Sequence, residues 1–181
     1  MQRFAPTAAG AVAAALLALV PTAQAAVPMG TPGVAAGQGR SERAPYAPDR
    51  DRILCQLNTE RAKYVSYPAL EFSTKLGKTA QAHSEYMART GDFGTDEGDE
   101  PFGVRLRAAG VYGNPLAEYV LQGYESDAQV VDYLTDPSNT VHSYLNDGKY
   151  TLIGIGYEQG YWTVDLSGPN RRAVGVKPHC D

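Results

Sequence analysis

The last third of the chain constrains the fold most. Residues 150–157 and 161–166 are rich in Ile, Val, Thr, Tyr and Trp, residue types that suit a pleated, half-buried surface. Glu158-Gln159-Gly160 between them reads as a tight turn. Strands this close in sequence pair antiparallel, because a parallel return needs a crossover of about a dozen residues or more. The upstream pattern is helical. Ile53, Leu54, Leu57, Ala62 and Val65 recur at helical spacing after Asp49, a suitable N-cap, and Ser66-Tyr67-Pro68 closes that segment. Leu76, Ala80, His83 and Met87 form one stripe over 73–90, with Gly91 as C-cap. A short helix is expected over 101–109, with Gly110 just past its end. Residues 117–121 read as a strand. Ser126-Asp127-Ala128-Gln129 opens a further helix as a capping box, Asp136-Pro137 stops it, and Asn146-Asp147-Gly148 marks a turn. Helices come first and strands cluster late, so the class is α+β rather than alternating βαβ.

The N-terminus predicts export. Arg3 precedes an apolar run over 8–20, followed by Pro21 and the small-x-small site Ala23-Gln24-Ala25. This is the pattern of a secretory signal peptide over 1–25. The run is short for a membrane span, which needs about 20 apolar residues. Residues 26–48 are rich in Gly, Ala and Pro without a periodic apolar face, and read as a flexible linker. The folded domain is expected over 49–181. Export into an oxidising compartment predicts that Cys55 and Cys180, the two cysteines of the chain, pair as a disulfide.

Charge excludes several classes of partner. Twenty acidic and 16 basic residues give a formal net charge of -4, with no basic stripe, so nucleic acid is not an expected partner. Asp92, Asp96, Glu97, Asp99 and Glu100 crowd one loop, but not at EF-hand spacing. Gly154-x-Gly156 lies between strands with no helix after it, so it is not a dinucleotide loop. There is no G-x-S-x-G elbow. Twelve tyrosines against four phenylalanines point to a partly wet interior or groove.

A set of short matches then appears in order. Leu57-Asn58-Thr59-Glu60-Arg61 resembles the L-N-x-x-R opening of the CAP superfamily (cysteine-rich secretory proteins, antigen 5 and pathogenesis-related 1 proteins). Ala80-Gln81-Ala82-His83 with Met87 resembles its A-x-x-H-x-x-x-M helix, and Arg105-Leu106-Arg107-Ala108-Ala109-Gly110 its bacterial R-l-r-x-a-G segment. Ala117-Glu118 resembles the start of A-E-N-I, and Asp136-Pro137 the S-P-x-H region. Ile153-Gly154-Ile155-Gly156 and Tyr161-Trp162-Thr163 resemble the late strands. The resemblance implies a three-layer α-β-α sandwich with a central, mainly antiparallel sheet.

It also implies a groove with two histidines and one or two glutamates able to bind a divalent metal. Carried over by position, the first histidine falls on Thr95, the glutamate on Glu118, the following asparagine on Tyr119, and the second histidine on Asn139. His142 lies three residues further on. No intact metal site and no cofactor are therefore expected. Glu118 reads either as half of an acid–base pair or as a buried structural carboxylate, and His142 either as a ligand or base or as a loop residue. His83 reads as a packed, hydrogen-bonded core residue. The expected function is a secreted, non-catalytic binding module whose groove takes an apolar or lipid-like ligand or a protein partner, with binding residues Thr95, Glu118, Tyr119, Asn139 and His142. The alternative is a metal-assisted hydrolase of peptide or cell-wall substrates using Glu118 and His142 as catalytic groups.

Overall fold

The structure, a computed structural model, describes residues 46–64, 67–169, 175–177, 179 and 180. The expected signal peptide and nearly all of the expected linker lie outside the described residues. Ten elements follow in order: α1 (Arg50–Arg61), β1 (Glu71–Ser73), α2 (Thr74–Thr90), α3 (Phe102–Ala108), β2 (Leu116–Gln122), α4 (Asp127–Thr135), α5 (Thr140–Leu145), β3 (Leu152–Glu158), β4 (Tyr161–Ser167) and β5 (Gly175–Val176). The sheet order is β2-β4-β3-β1-β5. All pairs are antiparallel except β1 with β3.

Local sequence sets the element ends. Asp49 accepts a hydrogen bond from Arg52 N at 3.0 Å and caps α1. Ser73 caps α2, and Gly91 ends it in the left-handed conformation at φ 74°. Ser126 caps α4 through Gln129 N, while the Gln129 side chain accepts from Glu125 N at 2.8 Å. The β3–β4 hairpin turns through Gln159 and Gly160, both at positive φ, the backbone twist that two-residue hairpins require. β1, α5 and the two-residue β5 were not expected from the sequence.

Side-chain alternation sorts the sheet into two unlike faces. Ile153, Ile155, Trp162, Val164 and Leu166 face a large core with Ile53, Leu54 and Leu57 of α1, Val130 and Leu134 of α4, and Val141 and Leu145 of α5. The alternate positions face α2 and α3, and beneath the middle of α2 the residues are small or polar. Gly154 and Gly156 let α2 lie directly on β3. A Cβ at Gly154 would sit 2.2 Å from the Leu76 carbonyl carbon, and one at Gly156 2.2 Å from the Ala80 carbonyl. On β4, Thr163 receives a 3.0 Å hydrogen bond from Ser84, and Asp165 one of 2.8 Å from Thr79. Leu76, Leu106, Val111 and Leu152 make a smaller apolar cluster beside them. Helices thus cover both faces of the sheet, as a three-layer α-β-α sandwich requires.

Two clips fasten the periphery. Cys55 and Cys180 form a disulfide with Cα atoms 5.7 Å apart, as expected from the sequence. The segment before α1 is held by Tyr46, whose hydroxyl donates to Asp127 and whose ring lies 5.0 Å from Tyr157 and 5.9 Å from Trp162. The folded unit therefore includes residues upstream of Asp49.

Candidate functional site

The polar face of the sheet gathers one cluster of ionisable groups. β2 supplies Glu118, β4 supplies Asp165, α2 supplies His83 and Thr79, α3 supplies Arg105, and the acidic loop supplies Gly94, Thr95 and Glu97. Antiparallel register places Glu118 directly opposite Asp165, with Gly154 next in the row. Both carboxyls are buried. Like charges directly opposite one another on a sheet repel, and burial penalises each ionised form. Burial first, then the neighbouring Asp165, pushes the Glu118 carboxyl up to about 9. Burial likewise raises Asp165. The two carboxyls, opposite one another and both desolvated, favour a proton on Glu118. Asp165 Oδ1 is buried with no hydrogen-bond partner among the described residues. Glu118 is therefore protonated at neutral pH.

Arg105 counters what charge remains. Its Nη2 donates to both oxygens of Glu118 at 2.8 Å and to Thr95 O at 3.0 Å. Its Nε lies 3.2 Å from Glu97 Oε1. His83 is fully buried. Its Nδ1 lies 3.0 Å from Glu97 Oε1, and its Nε2 lies 2.8 Å from Gly94 O and 3.7 Å from Glu118 Oε1. A carbonyl oxygen and a carboxylate can only accept, so both ring nitrogens are placed to donate.

This donor set does not fit a divalent metal. A protonated Nε2 has no lone pair to give, and both Glu118 oxygens already accept from a guanidinium that would repel a second cation. Among the described residues, no group of three or more His, Cys, Asp or Glu is placed to hold a metal ion.

The residues singled out from the sequence separate into two places. Thr95 and Glu118 come together, both bonded to Arg105, with Thr95 contributing its backbone oxygen rather than its hydroxyl. Glu118 takes hydrogen bonds from Arg105, not from backbone amides. Tyr119 points to the other face of the sheet, where its ring lies 5.5 Å from Tyr144. Asn139 is the residue before α5, and its amide donates to Tyr133 O at 2.9 Å. His142 sits in α5 on that same apolar face, not in a loop, with Nε2 3.6 Å from Glu60 Oε1 and its ring 6.1 Å from Tyr64. Glu118 and His142 therefore stand on opposite faces of the sheet, and the shared site that pairs them does not form. Arg105, Glu97 and Asp165 were missed as site residues. Arg105 lay inside a quoted motif and Glu97 inside the acidic loop, but only tertiary packing joins them to His83.

The motif L-N-x-x-R has a structural role. Asn58 pairs with both backbone groups of Leu70, accepting from its N at 2.7 Å and donating to its O at 3.0 Å. Arg61 is 1% exposed and donates to Pro68 O, Leu145 O and Tyr150 O. Neither reaches the cluster around Glu118.

Away from the cluster, a groove of about 800 Å³ runs between the start of α1 and the outer face of α2, lined by Phe72, Gly77, Lys78, Gln81, Ala82 and Glu85 among others.

Comparisons with known proteins agree with this architecture. The chain is similar in structure to an extracellular protein containing an SCP domain from Bacillus anthracis, with a TM-score of 0.59 and 18% identity, covering 65% of this chain and 39% of that one. It is similar to an outer surface protein from Borrelia burgdorferi, with a TM-score of 0.58 and 16% identity, covering 69% of this chain and 97% of that one. A cysteine-rich secretory protein from Staphylococcus aureus matches with a TM-score of 0.52 and 15% identity, over 65% of this chain and 38% of that one. No curated protein sequence matches. The sequence model described as "Cysteine-rich secretory protein family" matches residues 54–166, a span that runs from within α1 into β4 and holds the whole buried cluster, and the chain belongs to that family, CAP.

Proposed function

We propose that the chain is an exported CAP domain that works as a binding module without turnover. The carrying observation is that Glu118 itself is buried and already engaged. Its oxygens are held by Arg105, both ring nitrogens of His83 face protein acceptors, and the Glu118 side chain is 0% exposed. General acid–base catalysis needs a group within hydrogen-bond reach of a substrate proton, and here that reach is already used inside the protein. The signal-peptide pattern over 1–25 supports export, and similar proteins carry the descriptions extracellular and outer surface. No helix among the described residues is long and apolar enough to cross a membrane. The groove along α2 is where an apolar or lipid-like ligand, or a protein partner, is expected to bind. Its floor of Gly77 and Ala82 leaves room, and Phe72 gives it an apolar wall.

The test is hydrolysis of peptide and cell-wall substrates by the wild type and by Glu118→Gln. The expected result is no turnover by either protein. Turnover by the wild type that is lost in Glu118→Gln overturns the reading.

A further inference from the structure

We propose that the cleft between His83 and Arg105 is a carboxylate-binding site, and that Glu97 is its built-in, displaceable occupant. The proposal deepens the reading of the chain as a binding module and rests on it.

The geometry is that of a ligand site filled from within. One oxygen of Glu97 lies 3.0 Å from His83 Nδ1 and 3.2 Å from Arg105 Nε. The two cationic or hydrogen-bonding walls are deep, with side chains 0% and 10% exposed, while the Glu97 side chain is 23% exposed. Glu97 is thus the most exposed of the three side chains. Arg105 also has unused capacity. Its Nη1 is buried with no hydrogen-bond partner among the described residues, and its Nε contact with Glu97 lacks hydrogen-bond geometry. Buried donors are nearly always satisfied. Glu97 supplies a loose single contact where a free carboxylate can align itself.

The loop does not depend on the Glu97 carboxylate for its shape. Gly94 O and Thr95 O are bonded to His83 and Arg105, the backbone of Glu97 pairs with that of Glu100 at 3.0 Å in both directions, and Asp96 accepts from Phe102 N at 3.2 Å. Gly98 at φ 58° turns the chain just after Glu97. Rotation of one side chain opens the cleft and leaves the backbone in place. The occupant is a monoanion. The group it would replace is itself a single planar carboxylate. Chemically this describes the terminal carboxylate of a small acid or of a peptide.

The experiment follows the imidazole NMR signals of His83 in the full chain during titration with acetate, with N-acetylglycine, and with N-acetylglycinamide as the uncharged control. Glu97→Ala is expected to bind acetate and N-acetylglycine saturably, about tenfold or more tighter than the wild type, because the internal competitor is gone. The amide is expected to leave the signals unmoved. Glu97→Gln keeps the side-chain volume and serves as the second variant should Glu97→Ala fold poorly, as judged by circular dichroism. A folded variant whose His83 signals ignore both acids, or follow acid and amide alike, overturns the proposal. Glu118-dependent hydrolysis would instead sink the non-catalytic reading and leave this contact standing.

Discussion

Glu118 faces Asp165 across strands β2 and β4, and both carboxyls turn to the buried side of the sheet beneath α2. The consequence is a stability that declines with rising pH. The Glu118 carboxyl stands near 9 in the folded protein against 4.5 for an unperturbed glutamate. Between those values the folded chain holds a proton that the unfolded chain has released. The contribution of this group to stability is therefore full below about pH 4.5 and falls as pH rises toward 9, by at most about 1.4 kcal/mol per pH unit for one proton. Urea denaturation between pH 5 and 9 should show this decline, and Glu118→Gln should flatten it. A midpoint that rises across that range contradicts the proton on Glu118.

Gly154 and Gly156 are expected to be intolerant of any side chain. A Cβ at either position meets α2 backbone at 2.2 Å, and backbone in the middle of a helix cannot step aside. Gly154→Ala and Gly156→Ala should each cost about 3 kcal/mol or more, or prevent folding. Gly77→Ala, on the open face of the same helix with nothing within 4 Å, should stabilise by about 0.5–1 kcal/mol. Thermal denaturation of the three variants separates close helix–sheet contact from general glycine sensitivity.

Much of this architecture was legible because local chemistry decides it. Asp49, Ser126 and Gly91 mark helix ends through their own side-chain and backbone preferences, and the 159–160 turn fixes the hairpin. β1 was not legible: Glu71-Phe72-Ser73 is too short to show alternation, and its partners lie some eighty residues away in β3. α5 was hidden by the Asp136-Pro137 break just before it. The cluster was half legible. Glu118 stood out through family resemblance, whereas His83, on an apolar helical stripe, read as core. It is buried as that reading requires, yet its ring is shared with a loop carboxylate. Arg105 and Asp165 gave no signal of their own, because a buried arginine between carboxylates is defined by its neighbours rather than by its spacing.

The Asn58 and Arg61 pair should matter for folding and not for ligand binding. Asn58→Ala removes both hydrogen bonds to the Leu70 backbone and should cost about 1–3 kcal/mol. Arg61→Ala strips three backbone carbonyls of their donor and should cost about 3 kcal/mol or more. Arg61→Lys should recover little, since one ammonium cannot span three acceptors from a single planar fork. Chemical denaturation measures the losses. The His83 signals should be unchanged wherever the variant still folds.

Reduction should weaken the domain substantially. Cys55 and Cys180 are 125 residues apart, and closing so long a loop removes about 4–5 kcal/mol of denatured-state entropy in the chain model. Cys55→Ser with Cys180→Ser should lower the denaturant midpoint by a matching amount, and dithiothreitol should reproduce the shift in the wild type. Two free thiols in the intact mass of exported protein would remove the basis for this expectation.

The docking of Tyr46 bears on how this domain is cut or fused. Its ring covers Tyr157 and Trp162, and its hydroxyl reaches Asp127 at the start of α4. A version begun at the helix cap, Asp49, would keep all ten elements yet present bare indole and phenol surface at the junction between hairpin and helix. Sticky, poorly behaved material from such a truncation would then report a missing cork and not an unstable fold. Tags and fusion partners accordingly belong upstream of Tyr46.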